Sequence, residues 1–217
     1  MKSKLIQSGI ALAALIAAPF AAQAADLSPS PAYKAPSYVA PVFTWSGFYL
    51  GANLGYAWGT AKWTAPAATT KPDGFLGGAT LGYNMQTGIW VWGLEGDFDY
   101  TAIKGSAGCG GGVTCTFKDQ WLATTRGRIG YAGWNNVMTY ITGGAAFADV
   151  KATSAGVSKS TMRVGWTLGA GLEYALWSNW SVKAEYLYAD LGKESCCGGR
   201  TVDYNTNIVR TGLNYRF

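Results

Sequence analysis

From Phe48 to the end of the chain, apolar and polar positions alternate with a period of two, the period of a β-strand. Eight runs carry it. Phe48, Leu50, Ala52, Leu54, Tyr56 and Trp58 share one parity, with Tyr49, Gly51, Asn53, Gly55 and Ala57 between them. Phe75 to Met85, Trp90 to Tyr100, Trp121 to Tyr131, Met162 to Leu176, Trp180 to Tyr188 and Asn207 to Phe217 behave alike. In each of these the apolar parity carries no charge. The opposite parity carries Glu95, Asp97 and Asp99, then Arg126 and Arg128, Arg163 and Glu173, Lys183 and Glu185, and finally Arg210 and Arg216. One further run, Val137 to Val150, is ambiguous. Its aromatics Tyr140 and Phe147 fall on opposite parities, which a β-bulge or a weak register would produce.

Alternation alone fits a soluble barrel or sandwich, apolar side in, and a membrane barrel, apolar side out. Three features favour the second. The apolar parities have aromatics at both ends, as in Trp90 with Tyr100 and Trp121 with Tyr131. Such pairs make the two aromatic girdles of a membrane barrel. The polar parities are crowded with glycine, at Gly51, Gly55, Gly78, Gly82, Gly169 and Gly171, which suits a narrow lumen. Connections alternate in length, short near Thr87-Gly88, Ala132 to Asn136 and Trp177 to Asn179, and long over Gly59 to Pro72, Ile103 to Thr116, Lys151 to Ser160 and Leu191 to Val202. Short periplasmic turns and long outer loops are the outer-membrane pattern. Lipid offers the backbone no hydrogen-bond partner, so the sheet must close. The predicted fold is all-β, an eight-stranded antiparallel transmembrane up-and-down β-barrel.

The leading segment reads as an address. Lys2 and Lys4 precede an apolar run from Gly9 to Ala22, and Ala22-Gln23-Ala24 ends it. This predicts a secretory signal peptide over residues 1–24, cut between Ala24 and Ala25. Residues 25–44 hold Pro29, Pro31, Pro36 and Pro41 and predict a Pro-rich periplasmic tether; residues 45–217 form the barrel. Removing two lysines lowers the formal charge from the +5 of the full 217-residue chain to +3. With no basic stripe along the sequence, nucleic acid is not an expected partner.

Several stretches then resemble one family. Trp45-Ser46-Gly47-Phe48-Tyr49-Leu50-Gly51-Ala52-Asn53 after a Pro-rich leader is one, and Thr142-Gly143-Gly144-Ala145-Ala146-Phe147 another. Glu185-Tyr186-Leu187-Tyr188-Ala189-Asp190-Leu191-Gly192 and the terminal Asn214-Tyr215-Arg216-Phe217 complete the set. The chain resembles the small porin-like outer-membrane immunogenic proteins of alpha-proteobacteria, barrels similar to the OmpA membrane domain. The resemblance implies that Phe217 and the alternate aromatics before it, Tyr215 first, are the signal read by the barrel-assembly machinery. Outer-membrane lipid and lipopolysaccharide are the other expected partners, and no host or surface ligand is specified.

The inward charges are expected to meet across the lumen, the acidic trio Glu95, Asp97 and Asp99 facing Arg126 and Arg128. Eight strands leave room for little more than side chains. The network of Glu95, Asp97, Asp99, Arg126, Arg128, Arg163, Glu173, Lys183, Glu185, Arg210 and Arg216 is therefore read as a structural plug, with a narrow ion path as the alternative. A loop-mediated adhesin is a third reading. The chain contains no histidine, so a hydrolase built on an imidazole base is not expected, nor is a His-ligated metal. No cofactor is expected: the Gly105 to Gly112 stretch lacks the Gly-Lys-Ser/Thr ending of a phosphate loop. Cys109 and Cys115 share one expected loop, Cys196 and Cys197 another; disulfides are the default in an oxidising periplasm, with Cys109–Cys115 the leading pair and a cross-loop pair the alternative.

Overall fold

A computed structural model describes residues 43–64, 67–108, 114–134, 136–154, 157–177, 179–195 and 201–217. The expected signal peptide, most of the tether, and Cys109, Cys196 and Cys197 with their pairings lie outside the described residues. Among the described residues ten strands run β1 (Gly47–Thr64), β2 (Ala67–Thr70), β3 (Asp73–Thr87), β4 (Trp90–Thr101), β5 (Lys104–Gly108), β6 (Thr114–Trp134), β7 (Val137–Ser154), β8 (Val157–Trp177), β9 (Trp180–Ser195) and β10 (Thr201–Arg216). Eight of them, all but the short β2 and β5, close a ring in which β1 pairs with both β3 and β10. Phe217 N–H donates to Phe48 O across the seam at 3.0 Å.

The register fixes the geometry of the ring. Stepping through directly opposed residues, Leu50 leads to Leu81, Gly96, Thr125, Ala145, Trp166, Asp190, Asn205 and back to β1 at Thr60. The path returns ten residues farther along β1, so the strands must tilt by about 40°. At this tilt and size the interior holds side chains and little else.

The three short connections lie where expected. Gly88 takes a left-handed φ of 61° in the β3–β4 turn, and Asn136 does the same in the β6–β7 turn. The opposite end differs from expectation. The long loops are largely strand: β1 runs on to Thr64 and pairs with β2, β5 pairs with β6, and β7 and β8 remain paired from Val137–Tyr174 up to Ser154–Val157. A 21-residue strand such as β6 rises roughly 50 Å at this tilt, about twice the height of a lipid-facing apolar band. Beyond that band, water allows the ladder to continue with no need for lipid-facing side chains.

The ambiguity of the fifth run is resolved in the same register. No bulge interrupts β7 against β8. Tyr140 points into the lumen and is buried, while Phe147 faces out. Two irregularities sit instead in the neighbouring β6, between Asp119 and Leu122 and between Tyr131 and Trp134, where the register against β7 shifts. An inward aromatic was the cause of the broken pattern, and an aromatic is a poor parity marker when it also fits a lumen.

Outward and inward faces exchange character along the strands. In the turn-end half, Phe48, Leu50, Leu54, Tyr83, Trp92, Leu94, Ile141, Leu168, Leu172 and Leu213 face out and are exposed. Rings pack along both rims of this belt, as Phe48 with Tyr83 (4.7 Å between centroids) and Trp180 with Tyr215 (5.0 Å) at one, Phe98 with Trp121 (5.7 Å) and Trp166 with Tyr188 (5.5 Å) at the other. Beyond the second rim the outward residues turn polar, among them Lys62, Lys118, Lys151, Ser160 and Asp203, and the inward ones turn mostly apolar, with Thr70, Asp119 and Arg163 buried among them. Trp63, Leu76, Ile103, Phe117, Leu122, Val150, Leu191, Val202, Tyr204 and Ile208 form one buried cluster there, with Phe117 and Tyr204 4.5 Å apart. The loop-end half is thus built like a small water-soluble barrel standing on a membrane-type one.

Glycines on the inner wall make room for large inward side chains. A Cβ at Gly82 would fall on the Tyr49 ring, and one at Gly171 on the Tyr140 ring. Tyr49 cannot swing aside, since its hydroxyl donates to Glu95 Oε2 at 2.7 Å and accepts from Arg128 Nη1 at 3.1 Å. Gly82→Ala is expected to lower stability by about 1–3 kcal/mol through overpacking, read as a lower urea midpoint in detergent micelles.

Candidate functional site

Among the described residues the lumen concentrates the chemistry of this sequence, and every sequence-predicted charge points into it. Glu95, Asp97 and Asp99 project from β4, Arg126 and Arg128 from β6, Glu173 from β8, Lys183 and Glu185 from β9, and Arg210 from β10; all are buried. The strand period puts each set on one wall, and the ring brings the walls together. Glu95 lies directly opposite Arg126 in the β4–β6 register, as expected. Asp99 does not use either arginine of β6. It is reached from across the ring by Arg210, whose Nη1 donates to Asp99 Oδ2 at 3.0 Å.

Two guanidiniums organise the centre. Arg126 Nη2 pairs with Glu95 Oε1 and, at 2.6 Å, with Asp97 Oδ2, while Nη1 reaches Glu185 Oε1 at 2.9 Å. Arg210 Nε donates to Glu185 Oε2 at 2.7 Å. Its Nη2 lies 2.7 Å from Glu185 Oε2 and 3.0 Å from Asp97 Oδ1, close enough for ion pairing though off the hydrogen-bonding line. Lys183 Nζ donates to Glu95 Oε2 at 2.9 Å. Hydroxyls complete the carboxylates: Thr80 and Thr124 donate to Asp97 at 2.7 and 2.8 Å. Nearer the turn end, Arg128 Nη2 donates to Glu173 Oε2 at 2.7 Å, and Ser181 and Asn214 donate to Glu173 Oε1 at 2.6 and 3.0 Å.

Arg216 and Arg163 occupy the edges of this group. Arg216 Nη2 is 3.8 Å from Glu173 Oε1, and its Nη1 donates to Thr44 O at 2.7 Å. Arg163, toward the loop end, donates to Val202 O at 3.2 Å and Gly192 O at 3.4 Å. Five acids, Glu95, Asp97, Asp99, Glu173 and Glu185, therefore stand with five bases, Arg126, Arg128, Lys183, Arg210 and Arg216. The layer is formally neutral.

Two further layers flank the ions, and sequence reading did not anticipate either. At the turn end, Trp45 is buried against Val91, Met138, Tyr140 and Ala175, with Phe43 packed beside it. Arg216 lies over the rings of Phe43 (4.8 Å) and Trp45 (4.9 Å), and Trp45 N–H donates to Gln86 Oε1 at 2.8 Å. Phe43, assigned to the tether by composition, is here packed across the mouth, and the exposed Thr44 accepts from Arg216 through its carbonyl. The third layer is the apolar cluster of the loop-end half. A signal for it does exist in the sequence. In β10 the apolar parity is even at Val202, Tyr204 and Ile208 and odd at Val209, Leu213, Tyr215 and Phe217, a switch within one uninterrupted strand.

The sequence that folds into this closed eight-strand ring matches a known family over residues 10–217, described as the outer membrane protein beta-barrel domain. The chain belongs to this family. It is an outer-membrane protein, similar over its full length, at 37% identity over 251 aligned residues, to the 31 kDa outer-membrane immunogenic protein of Brucella melitensis, covering all of that relative. The 25 kDa outer-membrane immunogenic protein of Brucella abortus is 37% identical, with 100% of this chain and 99% of the relative covered. A 22 kDa outer membrane protein of Rhizobium leguminosarum is 32% identical over 82% of this chain and 81% of its own. Among solved structures, Neisserial surface protein A superposes with a TM-score of 0.54 at 16% identity, covering 79% of this chain and 98% of that one. OprG of Pseudomonas aeruginosa gives 0.52 at 14% identity, covering 79% and 96%. These two show the likeness of fold. The family resemblance drawn from the sequence and the eight-strand fold are both borne out.

Proposed function

We propose that this protein is a closed, non-catalytic wall element and surface antigen of the outer membrane, its lumen plugged rather than conducting. One observation carries the reading: the inward side chains form three consecutive buried layers, aromatic at the turn end, ionic in the middle and largely apolar at the loop end, where Asp119 and Arg163 are buried among the apolar side chains. A permeating ion would have to break a formally neutral layer of ion pairs and then cross a largely apolar one. Both steps are costly, because buried charges separated from their partners lose several kcal/mol (about 3–5) each. The relatives' description as immunogenic supports exposure of the loop end at the cell surface. The lack of histidine supports the absence of an acid–base catalyst.

The partners follow from the outer wall. The apolar belt meets lipid, and the polar extension above it meets lipopolysaccharide. Tyr215 and Phe217 face outward at the seam, their rings 5.2 Å apart, where an assembly factor could read them before closure. Purified, refolded protein in planar bilayers tests the plug. Flat current traces are expected at moderate voltage; steady single-channel steps from the wild-type protein would overturn the plug in favour of a narrow pore.

A further inference from the structure

Above the loop-end girdle, three lysines fall on one rung of the sheet. Lys104 of β5 lies directly opposite Lys118 of β6, and Lys118 directly opposite Lys151 of β7. All three are exposed. Like charges directly opposed on neighbouring strands are destabilising, and among the described residues none of the ion pairs uses any of the three. Each of the two nearby acids accepts a hydroxyl hydrogen bond, and among the described residues neither forms any of the ion pairs. Asp73, opposite Lys104, accepts from the Tyr56 hydroxyl, and Asp149 accepts from Ser160 Oγ at 2.7 Å. The other side of the barrel is arranged differently: Asp203 sits between Lys62 and Lys193, opposite both, so signs alternate there.

Height decides what could neutralise the triplet. Lys118 lies three residues beyond Trp121, Lys104 four beyond Tyr100 and Lys151 four beyond Phe147. With the strand rise and tilt above, that is roughly 7–10 Å past the aromatic rim. The headgroup layer occupies about 5–8 Å beyond the hydrocarbon on each side. The rung climbs about 3 Å per strand at this tilt, so the three ammonium groups are stepped across the headgroup layer and its outer edge, within side-chain reach of lipid phosphates, over roughly 10 Å of sheet.

We propose that the Lys104–Lys118–Lys151 rung binds the phosphate groups of a phosphorylated glycolipid of the outer leaflet. It rests on the outward orientation of the loop end given under the proposed function. Lipid supplies what the rung lacks, two or more fixed anions at the right depth, and anchoring the strand extensions to headgroups holds β5, β6 and β7 against charge repulsion.

The probe is diphosphoryl lipid A in neutral detergent micelles, titrated against purified full-length protein. Lys104→Gln/Lys118→Gln/Lys151→Gln is compared with a control of equal charge change, Lys62→Gln/Lys71→Gln/Lys193→Gln. The rung variant should bind roughly tenfold or more weakly and the control within about twofold of wild type. Dephosphorylated lipid A should bind all three proteins alike, and millimolar pyrophosphate should not displace the lipid. Equal losses in the two variants, no loss in the rung variant, or indifference to the phosphates would overturn the site. Displacement by pyrophosphate would overturn the lipid as its ligand. Should the triple variant not fold, Lys118→Gln alone is expected to lose about threefold, and no loss there counts against the site. Gel migration with and without boiling separates the two readings: a wild-type protein with a single mobility sinks the barrel, whereas two mobilities with unchanged affinities sink only the lysine site.

Discussion

Replacing Arg126 with methionine is expected to cost about 3–5 kcal/mol of stability, more than any substitution on the outer surface above the membrane. Arg126 is fully buried and holds Glu95, Asp97 and Glu185 at once, while its Nε donates to Thr124 Oγ1 at 3.0 Å. Methionine matches much of its length but leaves three carboxylates turned toward one another, with Arg210, Lys183 and, for Glu95 at 3.5 Å, Arg128 to share. The loss lies in the unpaired anions rather than in the worth of the pairs, since a fully matched apolar replacement of a buried pair is often neutral. Adding Glu95→Gln to Arg126→Met should therefore recover part of the loss. Urea unfolding in micelles, followed by tryptophan emission, measures both. A cost below about 1 kcal/mol for Arg126→Met would mean that water reaches this layer and that the plug is not dry.

The second large effect is on the other face. Leu94 is 69% exposed, lies mid-height in the apolar belt and is opposite Tyr83 and Gly127. Leu94→Arg should cost about 2–4 kcal/mol, the penalty for a basic side chain at the bilayer midplane of a barrel. Thr60→Arg, also outward but two residues beyond Trp58, should cost about 0–1 kcal/mol. The pair discriminates sharply. On a water-soluble barrel, an exposed leucine exchanged for arginine stays within about 0.5 kcal/mol at either height. Equal, small effects at the two positions would show that the belt does not face lipid.

What was legible in the sequence, and what was not, follows from one physical asymmetry. A residue's parity in a strand is readable without coordinates, so the set from Phe48 to Trp58 and the set Glu95, Asp97 and Asp99 separate into an exposed and a buried face. The medium on each side is not encoded in parity. It had to be inferred from aromatic rims and glycine crowding, and that inference holds only over the membrane belt. Past Trp58 and Trp121 the outer medium becomes water and the same two faces exchange roles. Leu187, Leu191, Val202 and Ile208 then read as exceptions to a rule when they are the core of another one. Aromatic side chains were the other source of error. Tyr49 and Tyr140 are inward, held by Glu95 and stacked on Arg128 (4.1 Å), and only the absence of a Cβ at Gly82 and Gly171 makes room for them. Trp45 gave no periodic signal, because it precedes β1 and closes the mouth from outside the sheet.

The direction in which the tryptophans face is the most direct probe of the inverted architecture. Of the ten tryptophans, Trp45 and Trp63 point inward and are buried, whereas Trp58, Trp90, Trp92, Trp121, Trp134, Trp166, Trp177 and Trp180 lie on the outer wall. Refolding the protein into vesicles whose acyl chains carry bromine should quench most of the tryptophan emission relative to unbrominated vesicles, leaving a small residual from the two inward rings. Emission unchanged by bromination would contradict a barrel that turns its apolar face to lipid and its charges to the lumen.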